Sequence, residues 1–134
     1  MIAAAPARPV ILVVEDDADA RQALGEHLTT LFPNVRIVMA ESGETGLELV
    51  QRMRPGVVLL DLGLRGIGGL EFAERLRGVA QRDTVSLVAL TEDMSADTLM
   101  RAEAAGFAAF VRKPADRDRL GIVLRPLLEE SPRP

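Results

Sequence analysis

The sequence predicts an α/β protein, a doubly wound (βα)5 unit with a five-stranded parallel sheet covered by helices on both faces. Three observations carry the prediction. Short apolar runs rich in Val, Ile and Leu recur along the 134 residues, too short for helices and too uniformly apolar for half-exposed strands. A segment with apolar residues at helical spacing follows each run, and strict alternation of the two implies parallel strands joined by helical crossovers. Polar residues stand directly after the runs, where an open α/β sheet binds its ligands.

The first run, VILVV at 10–14, reads as a buried strand. Residues 17–31 follow as a helix, with Ala20, Leu24, Leu28 and Leu31 on one face. VRIVM at 35–39 is the second strand. Ser42 opens the next helix as its N-cap, with Leu47 and Val50 at helical spacing. GVVLL at 56–60 is the third strand, and a Gly-rich loop leads from it to a helix at 69–78 carrying Leu70, Ala73 and Leu76. VSLVAL at 85–90 is the fourth strand, and Ser95 caps a helix that holds Leu99 and Met100. AAFV at 108–111 is a short fifth strand. Asp116 caps the last helix, which buries Leu120, Val123, Leu124, Leu127 and Leu128; Pro126 is expected to kink it or end it early.

Residues 1–9 read as a flexible arm, 10–130 as one domain and 131–134 as a tail. The opening Met and the closing tail incline the reading toward a free-standing chain. Only Phe32, Phe72, Phe107 and Phe110 are aromatic, so the core must be aliphatic. The net charge of −4 and the lack of a basic run argue against direct nucleic-acid binding. The absence of Cys excludes disulfides and thiolate metal sites. No apolar stretch approaches the roughly 20 residues of a membrane span. The start has neither the basic nor the long apolar region of a signal peptide. A cytoplasmic chain is the default expectation.

Within VVLLDLGL, residues 57–64, Asp61 follows four apolar residues. A carboxylate at the end of a buried strand is costly unless something neutralises it. The other strand ends supply Glu15, Asp16 and Asp17, then Thr91, Glu92 and Asp93, then Arg112 and Lys113. Adjacent strands lie about 5 Å apart, so these groups can converge. Carboxylates gathered there repel each other without a cation, and an all-oxygen set suits Mg²⁺. Cation, carboxylate, hydroxyl and ammonium together are equipment for phosphoryl transfer, in which an Asp can be the nucleophile. Lys113 is the only Lys among 16 basic residues, which invites a site-specific reason for a compact ammonium. RGIGG at 65–69 is not a P-loop, because no Lys-Ser/Thr follows.

Taken together, ILVVEDD, VVLLDLGL, LVALTED and FVRKP, in that order and each at a strand end, resemble the receiver domain of bacterial two-component response regulators. The spacing fits as well: Thr91 lies thirty and Lys113 fifty-two residues after Asp61. The resemblance covers residues 10 to about 129 and implies the flavodoxin-like strand order 2-1-3-4-5. It implies that Asp61 is the phosphoacceptor, with Thr91 and Lys113 binding the phosphoryl oxygens. Glu15, Asp16, Asp61 and the backbone carbonyl of Gly63 would hold Mg²⁺. Phe110 would be the switch aromatic that follows Thr91, Lys113–Pro114 a cis bond, and Gly69 the loop glycine. The implied partners are a sensor histidine kinase or a His phosphotransfer protein and a downstream protein target. A homodimer through the face of the fourth helix, fifth strand and fifth helix is compatible with it. Such a chain is a signalling acceptor and not an enzyme, beyond self-phosphorylation and autodephosphorylation.

Four positions depart from the family pattern. Glu92 stands where a small residue usually leaves room for the phosphoryl group; with Asp93 it would repel phosphate if turned inward. Arg65 stands at a position that is commonly Pro, and Ala115 where a large apolar residue is common. Gly63 has no side chain to obstruct water, which predicts an aspartyl phosphate that hydrolyses readily. Glu92 is the best support for the alternative, a receiver-shaped interaction module that works without phosphorylation. A Mg²⁺-dependent phosphohydrolase would want an acid two residues after Asp61, and that residue is Gly63. His27, between Leu24 and Leu28, reads as a surface residue, and Asp16, Asp17 and Asp19 could each cap the first helix.

Overall fold

The computed structural model describes residues 8–79 and 84–130. Most of the expected arm (residues 1–7) and the expected tail at 131–134 lie outside the described residues. Five strands and five helices alternate: β1 Val10–Val14, α1 Ala18–Leu31, β2 Arg36–Ala40, α2 Gly43–Met53, β3 Val57–Asp61, α3 Gly69–Leu76, β4 Ser86–Thr91, α4 Ala96–Ala105, β5 Phe107–Arg112 and α5 Arg117–Glu130. The strands form one parallel sheet in the order β2-β1-β3-β4-β5. The two strands that end in Asp61 and Thr91 therefore lie side by side, with Asp61 opposite Leu90.

Both faces of the sheet are buried, as the unbroken apolar runs require. Leu12, Val14, Val58, Leu60, Leu87 and Ala89 pack with Val50, Phe72, Leu76 and Ala102 of α2, α3 and α4. Ile11, Val13, Val57, Leu59, Val88 and Leu90 pack with Leu24, Leu28, Leu120 and Leu124 of α1 and α5. The helix starts are those the sequence marks. Asp17 accepts from the Ala20 amide, Ser42 from Thr45 and Ser95 from Thr98. Gly106 ends α4 with φ 106°, a left-handed conformation that favours glycine.

Several boundaries shift from the sequence expectation, each for a local reason. Val35 is not in the second strand, because its amide turns back to the Phe32 carbonyl at 3.0 Å and closes the end of α1. Asp61 and Thr91 are the last residues of β3 and β4, not the first beyond them, since both still pair with their neighbours. The fifth strand is longer than AAFV. Val88 pairs with Ala109 directly after Leu87 pairs with Phe107, so Ala108 bulges out of the ladder and Phe107 rejoins the strand. α3 stops at Leu76, where the Arg77 and Gly78 amides bond only three residues back. Pro126 does not end α5, which runs through it to Glu130. The carbonyl that loses its partner there belongs to Ile122, a residue 65% exposed and open to water.

Candidate functional site

At the carboxyl end of the sheet the predicted residues meet. β1 delivers Glu15 and Asp16, β3 delivers Asp61, β4 delivers Thr91, and the turn after β5 delivers Lys113. Glu15, Asp61 and Thr91 are the three polar side chains buried among the described residues. The Lys113 ammonium answers the question raised by Asp61. It donates to Asp61 Oδ2 at 3.0 Å and to Glu15 Oε1 at 3.4 Å. The other Asp61 oxygen accepts from the Gly63 amide at 2.9 Å. Gly63, whose carbonyl the resemblance assigns to Mg²⁺, also contributes its N–H to the site. The Lys113–Pro114 bond is cis.

One ammonium does not balance three carboxylates. Ligand oxygens of Glu15, Asp16 and Asp61 all lie within 4.8 Å of one another. Opposite ligands around an octahedral Mg²⁺ are about 4.2 Å apart, so a small adjustment fits these oxygens to the ion. Glu15 Oε2 is buried with no hydrogen-bond partner. Burial pushes the Glu15 carboxyl up to about 7, and the neighbouring Asp61 carboxylate pushes the same way against the pull of Lys113. For Lys113, burial alone would lower the ammonium, but Asp61 and Glu15 outweigh it and hold it above its ordinary value. An orphaned buried oxygen inside an all-oxygen acidic cluster is what a hard divalent cation would complete.

Thr91 is placed at the site but turned aside. Its Oγ1 donates to the Asp93 carbonyl at 3.2 Å and accepts from the Asp93 amide at 3.0 Å, in a turn of its own. Asp93 is no competitor for the pocket. Its carboxylate caps the start of α4, bonding the Thr98 hydroxyl at 2.6 Å and the Ser95 amide at 2.9 Å. Those bonds hold it below the ordinary carboxylate value. Glu92 is exposed. Phe110 is half-buried against the cluster shared with α2–α4 and pairs across the ladder with Ala89. Leu87, Ala89 and Thr91 alternate on one side of β4, so Thr91 and Phe110 share that face.

Two arginines at the site escaped the sequence reading as contacts. The Arg21 guanidinium donates to the Glu15 carbonyl at 2.9 Å. The Arg65 amide donates to Asp16 Oδ2 at 3.0 Å, and its guanidinium Nε lies 3.6 Å from the same oxygen. Arg65 was visible only as a departure from Pro, and nothing local sets Arg21 apart from other helix arginines. Asp17, a capping candidate, does cap α1. His27 is half-buried and accepts from Arg117 Nε at 3.2 Å.

The response regulator receiver domain model matches residues 11–125. The transcriptional regulatory protein AfsQ1 of Streptomyces coelicolor is 34% identical over 93% of this chain and 53% of its own length. The sensor histidine kinase AtsR of Burkholderia thailandensis is 35% identical over 85% of this chain and 19% of its own. The chain thus spans about half of the first relative and a fifth of the second. Among solved structures, the receiver domain of a DNA-binding response regulator from Colwellia psychrerythraea superposes with a TM-score of 0.84 at 27% identity, covering 91% of this chain and 99% of that one. A sensor histidine kinase receiver domain from Pseudomonas aeruginosa, solved with magnesium in its active-site cleft, shares the fold with a TM-score of 0.82 at 22% identity, over 92% of this chain and 100% of that one. No helix among the described residues is long and apolar enough to cross a membrane.

Proposed function

The chain belongs to the response regulator receiver domain family, and we propose that Asp61 is its phosphoacceptor. The observation that carries this is the Asp61 carboxylate itself. It is 5% exposed at the end of the central strand, with one oxygen on the Lys113 ammonium at 3.0 Å. The donor is the phosphohistidine of a sensor histidine kinase or a phosphotransfer protein. A carboxylate oxygen of Asp61 attacks phosphorus in line; the new P–O bond forms as the P–N bond to the donor imidazole breaks. Lys113 already touches Asp61 and can follow the charge onto the transferred oxygens without reorganising. Mg²⁺, held by Glu15, Asp16, Asp61 and the Gly63 carbonyl, would neutralise charge on the phosphoryl oxygens. Its support is the acidic cluster and the orphaned Glu15 oxygen.

The new phosphoryl group draws the Thr91 hydroxyl out of its turn with Asp93. Phe110, on the same face as Thr91, takes up the space released, and the surface formed by α4, β5 and α5 changes shape. That surface would carry the signal to a protein target or to a second copy of the chain. The chain acts as a stoichiometric acceptor in the cytoplasm, with self-phosphorylation and autodephosphorylation as its own chemistry. The test is an amide NMR spectrum with Mg²⁺ before and after addition of beryllofluoride. Shifts at Thr91, Phe110 and Lys113 that reach α4 and α5, and vanish in Asp61→Asn, are the expected result. A silent spectrum would refute the reading and favour an interaction module that needs no phosphate.

A further inference from the structure

Arg65 addresses one oxygen of Asp16 twice. Its backbone N–H donates to Oδ2 at 3.0 Å, and its Nε lies 3.6 Å from that same oxygen, across 49 residues of sequence. Neither contact is open to a Pro, which has no N–H and no charge. The Arg65 side chain is 92% exposed and that of Asp16 21%, so the guanidinium meets Asp16 from the solvent side.

We infer that Arg65 is a built-in competitor for the cation at Asp16, and that it sets the affinity of the acidic cluster for Mg²⁺. The inference rests on the metal reading of the cluster given above. A carboxylate oxygen has two lone-pair directions, so the amide bond to Oδ2 can persist beside a metal ion. The guanidinium cannot persist so easily. It is a full positive charge beside the carboxylate whose oxygens a divalent cation approaches to about 2.1 Å. Cation entry must therefore displace the guanidinium, and the lost pairing weakens binding. Because the pair is exposed, the effect is modest: an exposed ion pair corresponds to about a two- to fivefold change in an equilibrium constant. Salt should diminish it for the same reason. Arg112 is the internal comparison. It is exposed, and its backbone pairs across the ladder with Thr91.

The experiment is a Mg²⁺ titration of the full chain followed at the Gly63 amide, in low and high potassium chloride. Arg65→Gln keeps the backbone amide and removes the charge; it should bind Mg²⁺ about two- to fivefold more tightly at low salt. The advantage should shrink at high salt, and Arg112→Gln should show less than half of the change. In the wild type the Arg65 Nε–H resonance should move with the same midpoint as the Gly63 amide. An unchanged dissociation constant in Arg65→Gln, or equal tightening in Arg112→Gln, overturns the inference and leaves the metal reading intact. No Mg²⁺ binding in any of the three proteins overturns the metal reading and the inference together.

Discussion

Glu15 should make the metal-free protein less stable as pH rises through neutrality, against the trend set by paired carboxylates. Its side chain is fully buried, and its carboxyl is raised from 4.5 to about 7 by burial and then by Asp61. In the unfolded chain it ionises near 4.5; in the folded chain it keeps its proton until about 7. Its contribution is therefore fully present below the unfolded value and is lost as pH rises through the folded one. A shift of one unit corresponds to about 1.4 kcal/mol, so Glu15 can remove up to about 3 kcal/mol between pH 5 and pH 8. Urea denaturation in EDTA at several pH values measures this. Far-UV circular dichroism is the probe, because the chain has no Trp or Tyr. Glu15→Gln supplies the comparison, since its amide oxygen still accepts from Lys113 and nothing titrates. The wild type should lose stability relative to Glu15→Gln across this range, and saturating Mg²⁺ should abolish the difference in slope by displacing the proton. Parallel pH dependences in EDTA would refute the reasoning. They would mean that Lys113 alone offsets the burial of an ionised Glu15.

Three further outcomes follow from the geometry. Lys113→Met leaves the buried Asp61 and Glu15 without their shared ammonium and should cost about 1–3 kcal/mol at pH 8 without divalent cation, measured by urea denaturation. Because the Lys113 ammonium is held above 10.5, its contribution is fully present through neutral pH and is lost as pH rises from 10.5 through that raised value. Gly69→Ala should destabilise by about 1–3 kcal/mol and shift the Gly63 amide resonance: the added carbon would meet Leu62 Cα at 2.8 Å and the Asp61 carbonyl at 3.1 Å, both backbone atoms where β3 runs into the loop that carries Gly63. Pro126→Ala should raise stability by about 1 kcal/mol or more, by restoring a donor to the Ile122 carbonyl within α5. An unchanged urea midpoint would count against that account of the helix.

The fold was legible because the inner strands bury both faces, so Val10–Val14 and Val57–Leu60 stand out as unbroken apolar runs. The fifth strand is longer than AAFV because Phe107 and Arg112 at its two ends also pair with β4, and the apolar pattern alone does not mark the ends of an edge strand. Of the two outcomes expected at Pro126, an early end does not occur: its ring lies on the exposed side of α5, and the helix runs on to Glu130. The strand-end rule found Glu15, Asp16, Asp61, Thr91 and Lys113, since position along a strand is enough to say which residues reach the edge of a sheet. It could not say where their side chains turn. Thr91 and Asp93 lie two residues apart at the same strand end, yet one closes on its own turn and the other bonds the start of α4. Nor could it see Arg65 on Asp16, a contact made across 49 residues by a loop with no periodicity.

The alternation of the strands gives the proposed switch a physical route. Asp61 continues the row of Val57 and Leu59, which packs with residues of α1 and α5. Thr91 continues the row of Leu87 and Ala89, which packs with α2, α3 and α4 and is shared by Phe110. Asp61 and Phe110 thus belong to opposite faces of one sheet, and no core side chain lies on both. Thr91 is the residue after Leu90, the partner of Asp61, so its hydroxyl stands at the edge where the two faces meet. A charge added to Asp61 can reach Phe110 by reorienting this one short side chain, with no break in the core on either face. The cost is the pair of hydrogen bonds that Thr91 makes to the Asp93 backbone, and the gain is a charge-assisted bond, roughly twice as strong as a neutral one. Two neutral bonds lost against one charged bond made is close to balance. A two-state element near balance is one that a single phosphoryl group can tip.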